Sequence, residues 1–182
     1  WYVSNVTAIL NATDTDGVDA TYYRINSGDW NLYSSPFIIS EEGDDVLIEY
    51  YSIDNLGNVE EIKSAYLDID KTPPNMTVEV EVKKGCCGKW IITISIKYTD
   101  NNSGIDRLEI FLNGGLQMVV PGSGPTYSWS WTLYGSFSFK FIAYDIAGNY
   151  DVVVVNDTDI SSFNLVKDIS NQQYTHPLIL RL

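Results

Sequence analysis

The stretch Trp90–Tyr98, WIITISIKY, decides how this chain is read. Trp90, Ile92, Ile94, Ile96 and Tyr98 fall on one parity and Thr93, Ser95 and Lys97 on the other, and a period of two sends successive side chains to opposite faces of a strand. The same rule runs through YSWSWTL, which sends Tyr127, Trp129 and Trp131 inward, and through SFSFKFIAY, which does so for Phe137, Phe139 and Phe141. Helical periodicity is hard to find before residue 156, whereas alternation recurs every 8 to 12 residues or so between Gly, Asn, Asp and Pro clusters. The pattern predicts an all-β sandwich.

Laid on itself, the chain gives two copies. ATDTDGVDATYYRINSG matches YTDNNSGIDRLEIFLNGG, aligning Asp14 with Asp100, Gly17 with Gly104, Val18 with Ile105 and Asn26 with Asn113. VLIEYYSIDNLGNVE matches FSFKFIAYDIAGNYD without a gap, aligning Asp54 with Asp145, Gly57 with Gly148 and Asn58 with Asn149. A period of about 90 residues indicates one compact module after another, each with its own core. Between the copies DIDKTPPN carries Pro73 and Pro74, which fix the backbone and predict a short, stiff junction. The expected division is 1–72, 73–156 and a tail, 157–182. The same register places Trp1 opposite Cys87, so the first module lacks its opening strand and leaves a sheet edge open unless another segment covers it.

Composition narrows the function classes. The chain has 182 residues, 45% hydrophobic and 19% charged, with thirteen Tyr, five Trp and six Phe, which suits a globular fold. A net charge of -13 excludes nucleic acid as a partner, because phosphate neutralisation needs clustered Lys and Arg. No apolar run reaches the roughly 18 residues of a membrane span. The start at Trp1, without Met or a signal-peptide pattern, reads as a piece of a longer polypeptide. Asn-x-Ser/Thr sequons at Asn5, Asn11, Asn75, Asn101 and Asn156 are possible glycosylation positions and point to an exported protein.

WYVSNVTAILNATDTDGVDATYYRINSGDW, VLIEYYSIDNLGNVE and IDKTPP together resemble the immunoglobulin-like or fibronectin-like β-sandwich repeats of bacterial and archaeal surface and secreted proteins, with their D-x-x-G-N turns and DKTPP-type linkers. The resemblance covers the first module, strand A excepted, and extends more loosely over the second; the tail is outside it. It implies two tandem immunoglobulin-like domains at an extracellular or cell-surface location, used in adhesion, as spacers or as accessories to secreted hydrolases, with no catalytic residues to transfer. Its implied partners are other repeats of the parent protein, glycans or cell-surface proteins. Fold alone does not give function.

Each candidate chemistry has a plainer counterpart. Catalysis needs a nucleophile within reach of a base, and the only histidine, His176, stands in the tail with no Ser or Cys elbow near it; no enzyme is expected. Calcium is the sharper hypothesis, with no other cofactor expected. Loops at one end of such a sandwich bring Asp14 and Asp16 toward Asp54, and Asp100 and Asn101 toward Asp145, with Asp68 and Asp70 entering from the linker. The alternative is that each Asp accepts N–H groups in its own turn. Tyr22 and Tyr51 face outward on neighbouring strands beside Arg24 and Glu49, where they either face a ligand or form a cross-strand pair. Cys86 and Cys87 are adjacent; consecutive Cα atoms lie about 3.8 Å apart, short of the usual disulfide span. They read as a hairpin turn or as a strained redox pair.

Overall fold

A computed structural model describes residues 1–122, 126–158 and 178–181, the last four by backbone alone. His176 and most of the tail lie outside the described residues. The chain divides into two units, Trp1–Thr72 and Pro73–Leu182. The regular elements are strands.

The second unit carries the opening stretch. Its strands are β7 (Asn75–Lys84), β8 (Lys89–Thr99), β9 (Ile105–Leu112), β10 (Gly115–Pro121), β11 (Thr126–Tyr134), β12 (Ser138–Asp145), β13 (Tyr150–Asn156) and β14 (Leu178–Arg181). One sheet runs β10-β9-β12-β13 and the other β11-β8-β7-β14. All these pairs are antiparallel except that of β14, which joins β7 in parallel register from Leu178↔Val78. Alternation does what the sequence implied: Ile92, Ile94 and Ile96 are fully buried, and so are Phe139 and Phe141 from the facing sheet. Trp129 and Trp131 are half-buried and pack against that core, while Ser128 and Ser130 face solvent and exchange hydroxyl hydrogen bonds with Ser95 and Thr93.

The first unit repeats this plan with fewer parts. Its strands are β1 (Val6–Ala8), β2 (Val18–Ile25), β3 (Asn31–Leu32), β4 (Phe37–Ile39), β5 (Gly43–Asp54) and β6 (Lys63–Ile69). The sheet β3-β2-β5-β6 has the strand order of β10-β9-β12-β13, and the pair β1-β4 that of β8-β11. No described strand of this unit corresponds to β7. The core shrinks accordingly: Ile39, Val46, Ile48 and Ile69 form its buried cluster, four residues against fifteen in the second unit.

Two repeated turns show why these sequences fold alike. Asn26 and Asn113 adopt φ of 48° and 49°, a left-handed conformation Asn tolerates, at the hairpins after β2 and β9. Each side-chain carbonyl then accepts an N–H of the neighbouring strand, from Leu47 of β5 at 3.0 Å and from Ser138 of β12 at 2.9 Å. Gly57 and Gly148 have φ of 86° and 100°, which a side chain would strain.

Candidate functional site on the outer face of the first unit

The outer face of β2 and β5 gathers a cluster of aromatic and charged side chains. Register pairs Tyr22 with Tyr51 and Arg24 with Glu49. The two tyrosine rings stack, with centroids 5.3 Å apart and planes inclined by 19°. Arg24 donates from Nε to Glu49 Oε2 at 2.7 Å, and this bond raises the guanidinium's proton affinity further. Trp30, from the turn between β2 and β3, closes the cluster. It meets Tyr51 edge-on at 4.7 Å and carries the Arg24 guanidinium 4.5 Å above its ring. All five side chains are partly exposed, and Leu32 and Tyr66 beside them are more than half exposed. The arrangement offers a ring face, a fixed cation and a carboxylate within one patch, the elements of a site for an amphipathic ligand such as a sugar ring or a polar protein surface. Trp30 escaped the strand alternation because it stands in a turn. The SGDW turn after an alternating strand was its only signal.

The repeat-equivalent face of the second unit is built differently. Glu109 and Ile142 stand where Tyr22 and Tyr51 do, and Phe111 and Lys140 where Arg24 and Glu49 do. Lys140 covers the Phe111 ring at 4.5 Å, and Arg107 lies 3.8 Å over Tyr144 while bonded to Glu109. That face has its own aromatic pair, Tyr144 and Tyr150, with centroids 5.7 Å apart and planes inclined by 45°; the near-parallel tyrosine stack closed by an edge-on tryptophan belongs to the first unit.

The candidate calcium residues are mostly engaged in their own turns. Asp54 accepts the N–H groups of Leu56 and Asn58 at Oδ1 and the Asn58 amide at Oδ2, at 2.7 to 2.9 Å. The Asn58 side chain, then its N–H, hold the Asp54 carboxyl below the usual range. Asp145 repeats the design with Gly148 and Asn149, at 2.6 to 2.8 Å. Asp100 caps its loop through Asn102 and Gly104, and Asp14 accepts the Asp16 N–H. Carboxylate oxygens of Asp100 and Asp145 lie within 4.8 Å of each other. Asn101 is exposed. Among the described residues Asp14, Asp16 and Asp54 form no such group. Asp70 is buried and receives the Thr72 N–H at 3.0 Å.

Asp68 has companions that alternation concealed. A bulge between Gly43 and Val46 in β5 turns Asp45 to φ of 56° and brings Asp44, Asp45 and Asp68 within 4.8 Å. Desolvation, then the charges of Asp45 and Asp68, push the Asp44 carboxyl up. Of the five sequon asparagines, Asn5, Asn11, Asn75 and Asn101 are exposed and Asn156 is half-buried. Cys86 and Cys87 are free and exposed at the tip of the β7–β8 hairpin, which Cys87 and Gly88 turn with φ of 60° and 75°.

Paired sheets with a shared strand order define an immunoglobulin-like sandwich in each unit. Residues 87–175 match the family described as a bacterial Ig domain. No curated protein matches it. Solved structures similar to it include the fibronectin(III)-like modules of Clostridium thermocellum CbhA, at 10% identity, 85% coverage of each chain and a TM-score of 0.38. The D00-D0 domain of intimin is 11% identical, with 84% of this chain and 92% of that one covered and a TM-score of 0.41. A 1.5-MDa bacterial ice-binding adhesin is 14% identical over 98% of this chain and 59% of its own, with a TM-score of 0.36.

Proposed function

We propose that this chain is a non-catalytic structural and adhesive module of a larger extracellular or cell-surface protein, and that the first unit's outer face makes the contact. The observation that carries the reading is the Tyr22–Tyr51–Trp30 cluster with its Arg24–Glu49 pair, present on one unit and replaced at the same positions of the other. A purely structural role would need no such difference between two copies of one plan. The partner class is a glycan or a polar protein surface.

The test is binding of the whole chain to arrayed glycans and to intact cells. Tyr51→Ala and Trp30→Ala should each weaken binding about tenfold, as loss of a stacking contact does, with circular dichroism unchanged. Equal binding by the variants would remove the proposal.

A second reading, a calcium-stiffened array, draws on the Asp44–Asp45–Asp68 group. It requires that Ca²⁺ raise the melting temperature of the wild type and not of Asp44→Asn; identical melting curves in Ca²⁺ and EDTA dismiss it.

A further inference from the structure

The cleft of about 670 Å³ under β1 in the first unit, with Ile39, Ile48 and Leu67 among its lining, lies where the second unit has β7, and the repeat register puts that strand's counterpart before Trp1. The edge of β11 is open for a different reason, because its surroundings are set inside the chain. β10 ends at Pro121 and β11 begins at Thr126, so residues 122–125 are too few to lay a strand along the 9 residues of β11. Among the described strands β11 pairs only with β8.

This edge lacks the guards that others carry. TYSWSWTLY has no charged residue, no proline and no glycine, and its register with β8 runs without a shift. By contrast β10 has a register shift between Leu116 and Met118 and ends in Pro121, and β13 holds a buried Asp151. β4, the first unit's counterpart of β11, is 3 residues long and follows Pro36. A long, regular, uncharged edge is a template for another strand. Its inward side chains, Tyr127, Trp129, Trp131 and Leu133, are only half-buried, while Ile92, Ile94 and Ile96 on β8 are sealed.

We propose that β11 is a self-association edge, which pairs antiparallel with β11 of a second copy of this chain about a two-fold axis at Ser130. The strand is close to a palindrome about that residue. Trp129 then faces Trp131, Tyr127 faces Leu133, Ser128 faces Thr132 and Ser130 its own equivalent, so apolar meets apolar on the inward side and hydroxyl meets hydroxyl on the outer. In a chain of net charge -13, pairing two copies along this strand sets no charge opposite its like. The sheets of the two copies become continuous, and the half-exposed indoles are covered.

The experiment is sedimentation of the whole chain from low micromolar to millimolar concentration, with site-resolved amide exchange at both ends of the range. A monomer–dimer equilibrium is expected, with the β11 amides that face away from β8 exchanging about tenfold more slowly in the dimer. Ser130→Lys places two like charges on the axis and should weaken association about tenfold or more, with circular dichroism unchanged. Val119→Lys, on the edge strand β10, should associate as the wild type does. Mixed labelled and unlabelled copies should give isotope-filtered contacts between Trp129 of one and Trp131 of the other. Three results would each overturn the proposal: a monomer at every concentration, association untouched by Ser130→Lys, or outward β11 amides already slow in the monomer, which would put a segment of the same chain on that edge.

Discussion

The two units share strand order, turn residues and register, yet among the described residues one closes its core and the other does not. The difference lies in one strand and a few side chains. In the second unit β7 lays Met76, Val78 and Val80 over the sheets, and fifteen apolar residues become buried. In the first, four do, and polar Tyr50 and Ser52 stand where Phe141 and Ala143 are sealed. The turns are conserved between the copies while the faces diverge, which teaches that the turns set the plan and the faces carry the differences.

The most severe way to probe this contrast is to truncate equivalent core residues. Phe139→Ala leaves a cavity in a sealed core and should cost about 3–5 kcal/mol; Ile48→Ala, at the wall of an open cleft, should cost only about 2. Denaturant unfolding of the whole chain, followed by tryptophan fluorescence, measures both. Equal costs would mean that the first unit is as closed as the second.

The turn aspartates come next. Asp145 is 2% exposed and accepts the N–H groups of Gly148 and Asn149 and the Asn149 amide, so Asp145→Ala strands buried N–H groups and should cost about 2–3 kcal/mol. Asp54→Ala, whose partners reach water, should cost clearly less. Thermal melts of the two variants rank them.

A double-mutant cycle sharpens the difference between the faces. Tyr22→Ala with Tyr51→Ala should show a coupling of about 0.5–1.5 kcal/mol, as stacked rings do. The equivalent cycle at Glu109 and Ile142 should show almost none.

Acid gives the smallest effects, with opposite signs inside the first unit. Asp54, held low, stabilises the fold above the ordinary carboxylate value, and that contribution fades as pH falls through its lowered native value. Asp44, held high, costs stability above its raised native value, and the cost lifts as pH falls toward the ordinary range. NMR titration of the carboxyl carbons should order the two midpoints with Asp44 above Asp54. Asn58→Ala should move Asp54 back toward the usual value.

Much of the architecture was readable because alternation and turn chemistry are local. WIITISIKY, the Asn26 and Asn113 hairpins and the Asp-x-x-Gly-Asn turns each specify their own geometry within a few residues. The outward pairing of Tyr22 with Tyr51 and of Arg24 with Glu49 followed from register. Trp30 did not, because a turn residue's direction depends on the loop that carries it. Nor did the Asp44–Asp45–Asp68 group, since a bulge shifts the parity of every residue near it. The missing strand was legible as an open edge; the depth of the cleft needed the facing sheet.

The hairpin tip at Cys86 and Cys87 has a practical consequence. Its two thiols are free and solvent-facing, and the strands that carry them run into the sealed core of the second unit. A maleimide dye attached there would sit outside that core and report on the second unit. Resonance transfer from Trp90 at the hairpin base would then distinguish loss of the sealed unit from loss of the open one in a single melt.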